Sequence, residues 1–120
     1  MANKRYNADY MQTEIYKLAS IESCKQLRRL FTNNRYLLDR HKMTLKQQIE
    51  DFAKYGLTIS WATVRNLKNG VNDNAGFLFC SYFAVYWGYN VVDLIYKDFG
   101  SSLPECDSVP YCSYKISCIS

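Results

Sequence analysis

The stretch from Thr44 to Gly70, TLKQQIEDFAKYGLTISWATVRNLKNG, places two short helical patterns on either side of a brief connection. Thr44 and Gln47 have the spacing of a capping box, which predicts that the first helix starts at this point. Gly56 suits the left-handed position that follows a helix, so the first helix is predicted to end just before it. The apolar residues of this helix recur at the spacing of one buried face: Leu45, Ile49, Phe52 and Ala53.

The second pattern begins after the short connection that Leu57 and Ile59 fill. Ser60 is a suitable N-cap, and Gly70 stops the helix. Val64 and Leu67 lie on one side of it, whereas four residues lie elsewhere: Ala62, Thr63, Arg65 and Asn66. Two short helices, a tight turn and an exposed second helix without acidic residues are the parts of a helix-turn-helix DNA reader.

The same residues carry a family resemblance, which covers roughly residues 33–96. The runs ISWATVRNLKNG and FLFCSYFAVYWGYNVVDLI resemble the third, fourth and fifth helices of the Cro/lambda-repressor family of small transcription regulators. The connection LTIS is two or three residues longer than is usual in that family. The resemblance implies an all-α, five-helix repressor-like domain at residues 23–100. A helical arm at residues 1–22 and a short tail at residues 101–120 complete the predicted organisation.

The resemblance also implies which side chains meet DNA. The start of the second reader helix would enter the major groove, where Arg65 would pair with guanine and Asn66 with adenine. The implied base contacts are Trp61, Ala62, Thr63, Arg65 and Asn66. Trp61 departs from the family's polar residue at this place, and its spacing to Val64 favours a core position slightly over a base contact. Lys46 and Gln47 resemble the positions that hold the phosphate backbone at a helix N-terminus.

Charge supports a nucleic-acid partner. Residues 1–70 have a formal charge of +7 and residues 71–120 of −3, so the basic half contains the proposed reader. Between Lys25 and Lys46, Asp39 is the only acidic residue. Such a run is either a solvated helix face or a phosphate-binding surface. Further phosphate candidates are Arg35, Arg40, Lys42, Lys68, Asn69 and Asn72.

The remaining segments give the organisation around the reader. A thin apolar stripe at residues 1–20 favours an arm that packs on the domain or mediates self-association, with disorder as the alternative. The asparagine pair Asn33-Asn34 predicts a point where one helix ends and the next begins. Asn90 is predicted to cap a last helix whose Leu94 and Ile95 close the core. After Gly100, serine, proline and cysteine predict a flexible tail or a short strand at residues 111–119.

The helix at about residues 75–86 is apolar nearly all round and cannot bury every face in a small domain. The leftover face predicts a homodimer; the alternative is that the N-terminal segment covers it. The residues predicted at the interface are Phe79, Tyr82, Tyr86, Trp87 and Tyr89. The same tyrosines also have the spacing for stacking single-stranded bases, but core packing is favoured because their region is acidic.

Other chemistries find little support. Cys106, Cys112 and Cys118 lack the close pairs of structural zinc sites, and His41 is the only histidine. No nucleophile, base or paired carboxylate indicates an enzyme. We therefore expect no metal, cofactor or small-molecule substrate. The absence of an apolar leader or membrane-length run predicts a soluble, cytoplasmic protein without membrane contact. The sequence favours a double-stranded DNA-binding regulator. The alternative is a helical adaptor or antirepressor that keeps the fold without reading DNA.

Overall fold

The computed structural model describes residues 12–68 and 76–112 and, within them, five α-helices and no strand. The helices are α1 (Glu14–Arg40), α2 (Leu45–Lys54), α3 (Trp61–Lys68), α4 (Gly76–Trp87) and α5 (Val91–Tyr96). The all-α prediction is confirmed. Helix α1 packs against α3, α4 and α5, and it is the element on which the others are assembled.

Helix α1 is 27 residues long and runs without a break through Asn33 and Asn34. The prediction that a helix ends at this pair is therefore wrong. Asn33 is fully buried, and its Nδ2 donates to the carbonyl oxygens of Leu94 and Lys97, both at 2.7 Å. Its Oδ1 accepts the backbone N–H of Phe99 at 3.1 Å. Because the amide satisfies distant backbone groups, it does not compete with the hydrogen bonds of its own helix.

Asn34 joins three helices through a second buried amide network. It exchanges hydrogen bonds with Gln48 of α2, each at 2.9 Å, and its Oδ1 accepts the indole N–H of Trp87 at 2.7 Å. Asn34 is 1 % exposed and Gln48 is fully buried. Buried amides with all of their partners in place fix one arrangement of the helices around them.

Three predicted helix boundaries in the segment from Thr44 to Gly70 are confirmed, whereas Gly70, predicted to stop the second helix, lies outside the described residues. Thr44 and Gln47 form a complete capping box at the start of α2. Gly56 has φ +88° after α2, and the N–H of Leu57 returns to the carbonyl of Phe52 at 3.0 Å, as in a Schellman motif. Ser60 Oγ accepts the N–H of Thr63 at 3.1 Å and caps α3. Asn90 caps α5 through Val92, also as predicted.

Helix α1 ends with the same motif but with a different residue. Lys42 has φ +56°, its N–H reaches the carbonyl of Asp39 at 3.1 Å, and Met43 N–H reaches Leu38 at 3.0 Å. Gly is the usual residue at this left-handed position, because a Cβ there is strained. Lys42 is the only non-glycine residue with positive φ among those described.

The core lies where α1, α2, α4 and α5 meet. Leu94 and Ile95 are buried, as predicted for the last helix. Tyr86 donates a 2.8 Å hydrogen bond to the fully buried Asp51. Burial raises the pKa of Tyr86 well above its ordinary value, and the hydrogen bonds with Cys112 and Asp51 raise it further. The hydroxyl therefore stays protonated as the donor that satisfies the buried carboxylate.

Part of the predicted tail is packed on the domain. The N–H groups of Asp107 and Ser108 both reach the carbonyl of Gly88, and the N–H of Cys112 reaches that of Tyr86. Gly88 has φ +84°, and a Cβ there would lie 2.5 Å from the Ser108 carbonyl oxygen. Residues 101–112 contain no strand, and residues 113–120 lie outside the described part.

Candidate nucleic-acid interface

Helix α3 is held to the domain by one side and exposes the other. Val64 is 2 % exposed and belongs to the core, whereas Ala62 and Arg65 are exposed. Trp61 is 50 % exposed, so the interpretation of Trp61 as a core residue is wrong. Its indole instead stands at the exposed start of α3, with Ala62 next to it in the chain.

The two remaining base-contact candidates are half-buried. Thr63 shares a hydrogen bond with Ser60, Oγ to Oγ1 at 2.9 Å, which turns its hydroxyl toward the helix cap. The hydrogen bond to Ser60 therefore holds the Thr63 side chain, including its methyl group, in one orientation. Asn66 is half-buried, one residue after Arg65 and within the last turn of α3. Within the described part of the chain, α3 carries no acidic side chain.

A second group of candidates gathers where α1 joins α2. Arg35, Arg40, Lys42 and Lys46 are all exposed. Arg35 lines a groove of about 420 Å³ together with Thr44 at the start of α2. This groove brings a guanidinium to the end of a helix whose first N–H groups favour anions. Asp39 lines the same groove and reduces its positive charge.

The other phosphate candidates have different outcomes. Gln47 Oε1 accepts the Thr44 N–H at 2.8 Å, so the side chain serves the helix cap and leaves only its Nε2 for a phosphate. Lys68 ends α3, and its side chain lies outside the described part of the structure. Asn69 and Asn72 are also outside the described residues.

Helix α2 connects the base-contact candidates on α3 with the basic residues where α1 joins α2. Its N-terminus lies beside Arg35, and its C-terminal turn at Gly56 leads directly into α3. The connection between the helices spans Tyr55 to Ser60 and contains Ile59, which is 6 % exposed. Ile59 thus anchors the connection in the core, and α3 itself packs against α1.

The predicted dimer residues divide between core and surface. Tyr86 and Trp87 are 2 % and 1 % exposed, so their assignment to an exposed dimer face is wrong. Both side chains are used inside the chain, by Asp51 and Asn34. The other three are half-buried and pack against the core: Phe79, Tyr82 and Tyr89. Among the described side chains of α4, Leu78 and Val85 are exposed and apolar.

Sequence reasoning missed two features of this region. The groove lined by Arg35 forms because α1 continues past Asn34. The predicted helix break at Asn33 and Asn34 did not allow for this groove. The positive φ of Lys42 could not be predicted, because the residue at this position is neither glycine nor asparagine. Among residues 12–68 and 76–112, no cluster of three histidine, cysteine or acidic residues is arranged to hold a metal ion. None of the described helices combines the length and apolarity needed to cross a membrane.

Comparison of the chain with protein-family models, with curated protein sequences and with solved structures gives no match.

Proposed function

We propose that this protein is a sequence-specific, double-stranded DNA-binding transcription regulator with a repressor-like helix-turn-helix domain, acting as a dimer. The observation that carries the proposal is the exposed outer side of α3. Val64 anchors the helix, and Arg65 stands on the free side of a helix whose described residues include no acid. A duplex groove lined with phosphates accepts such a surface.

In this proposal the residues of α3 read base edges in the major groove. Arg65 makes a bidentate pair with guanine, and Asn66 pairs with adenine. The exposed Ala62 or the methyl of Thr63 contacts a thymine methyl group. Trp61, exposed at the start of the helix, packs against the sugar-phosphate wall or a base edge of the groove.

The joint of α1 and α2 holds the phosphate backbone in this proposal. Lys46 lies in the first turn of α2, and Arg35 lines the groove beside that helix end. The N–H groups and the two cations together favour an anion at this place. Lys42 and Arg40 extend the positive surface at the end of α1. Contacts of this kind fix the orientation of α3 on DNA without reading sequence.

Two substitutions separate the reading and positioning roles. Arg65→Ala is expected to weaken binding to a selected site by about 1–3 kcal/mol and to change binding to random DNA little. Lys46→Ala is expected to weaken all sequences alike and to reduce the salt dependence by about one phosphate contact. Both are measured by fluorescence anisotropy on a selected duplex and on a random duplex.

Lys97→Ala provides the matched control, because this exposed lysine is already paired with Asp93 at 3.1 Å and is not among the residues proposed to contact DNA. It should leave both affinities unchanged. If Arg65→Ala and Lys46→Ala behave like the control, the assignment of α3 and α2 to DNA is wrong.

A protein-interaction module is the second candidate, because one surface favours it. A mostly apolar groove of about 350 Å³ lies where the end of α2, α4 and the packed tail meet. Tyr55, Val85 and Tyr111 line it and are each more than half exposed. An adaptor would use this groove and would show no DNA binding at low salt.

A further inference from the structure

The N-terminal half of α1 has an apolar side that the domain does not cover. Leu27 is the first buried residue of this helix, 13 residues after its start. Before it, Ile15, Leu18 and Ile21 are 77 %, 57 % and 56 % exposed. At 100° per residue, Leu18 and Ile21 lie on the side of α1 opposite to the side that Leu27 and Leu30 bury in the core. Leu18 and Ile21 thus expose aliphatic side chains away from the domain on two consecutive turns, and the exposed Ile15 lies about 90° around the helix from their midpoint.

We infer that two copies of this chain pair antiparallel through this half of α1, about a two-fold axis that passes between Ala19 and Ser20. In this register Leu18 of each copy lies beside the partner's Ile21. The two symmetry-related contacts form two adjacent apolar layers. A two-fold interface of this kind uses the same surface on both copies and closes on itself.

Charge complementarity selects a second copy as the occupant and fixes the direction of pairing. The same axis places Glu14 beside the partner's Lys25, one such pair at each end of the apolar layers. Both residues are exposed and lie on the same side of α1 as Leu18 and Ile21. A parallel pair would instead place Glu14 beside the partner's Glu14 and Lys25 beside the partner's Lys25. The charged residues on this side of α1 are therefore complementary to those of a second, antiparallel copy.

The paired surface is short, because it consists of about three helical turns from each chain. It buries less than the roughly 1,200 Å² of total surface that standard stable interfaces bury, so we expect a dissociation constant in the micromolar range. The inference rests on the described residues of α1 and stands whether or not α3 binds DNA. It replaces α4 as the origin of the predicted homodimer.

Sedimentation equilibrium of the full chain from 1 to 300 µM tests the pairing. The expected result is a reversible change from one to two chain masses. Leu18→Gln should raise the dissociation constant roughly a hundredfold, because each dimer loses two apolar contacts. Leu78→Gln is the matched control on α4, where Leu78 is 61 % exposed, and it should leave the association unchanged. Circular dichroism confirms that both variants are folded.

A monomer at every concentration, or association lost in Leu78→Gln and kept in Leu18→Gln, would overturn the inference. Charge reversal tests the register. Glu14→Lys and Lys25→Glu should each weaken self-association, and an equimolar mixture of the two variants should associate at least as well as the wild type. If the mixture stays as weak as either variant alone, the antiparallel register is incorrect.

Discussion

The two halves of α1 distribute polar and apolar side chains in opposite ways. In the C-terminal half, Asn33 and Asn34 are buried at 0 % and 1 % exposure. In the N-terminal half, Leu18 and Ile21 are more than half exposed. One continuous helix thus buries amides at one end and exposes aliphatic side chains at the other.

The difference shows how surroundings decide what a side chain contributes. The cost of burying the two amides is offset because their polar atoms form hydrogen bonds with groups outside α1. They fix how α1 meets α2, α4 and the segment after α5. The exposed aliphatic residues have no such role inside the domain. Their contribution is expected from another molecule, as we infer for the second copy.

The largest expected effect tests burial along α1. Leu30→Ala, at a position with no exposure, should lower the free energy of unfolding by about 3–5 kcal/mol through lost burial and a cavity. Leu18→Ala, at 57 % exposure, should change it by less than about 0.5 kcal/mol at low micromolar concentration. Urea denaturation measures both. Equal losses in the two variants would mean that the arm packs inside the monomer.

The next effect tests the amide network. Asn34→Ala should lower the free energy of unfolding by about 2–3 kcal/mol, because the Trp87 indole N–H and the Gln48 amide lose buried partners. Arg35→Ala, the exposed neighbour, should cost less than about 0.5 kcal/mol. A loss below about 1 kcal/mol for Asn34→Ala would show that water satisfies these groups instead.

The smallest effect concerns the end of α1. Lys42→Gly should raise the free energy of unfolding by about 1 kcal/mol, because glycine relieves the strain at φ +56°. Lys42→Ala keeps the strained Cβ and should give no such gain. Both remove the same charge, so both should weaken binding to random DNA equally. A stability gain in both variants, or in neither, would contradict the assignment of strain to this position.

Local signals in the sequence predicted the local structure well. The Thr44 and Gln47 capping box, Gly56 after α2 and the Ser60 cap of α3 were all recognisable, because each depends on residues within one helical turn. The burial of Leu94 and Ile95 followed from their place in the last helical pattern.

Long-range contacts were the part that the sequence could not provide. Asn33 and Asn34 have the local properties of a helix break, and only their partners 14 to 66 residues away make them interior residues. Trp61 fitted a core position by spacing, yet it is half exposed because Val64 alone of that pair reaches the core. Tyr86 and Trp87 were predicted on an exposed face from the sequence pattern of α4. In the structure they are buried, because Asp51 and Asn34 accept hydrogen bonds from their polar groups.

We propose that α3 and the joint of α1 and α2 form a DNA-binding surface. Fluorescence-anisotropy binding of the full chain to random duplex DNA across a salt series tests it most directly. We expect binding at low salt and a log–log slope of several units, which reports several phosphate contacts. No binding at low salt would contradict it and would direct attention to the groove lined by Tyr55, Val85 and Tyr111.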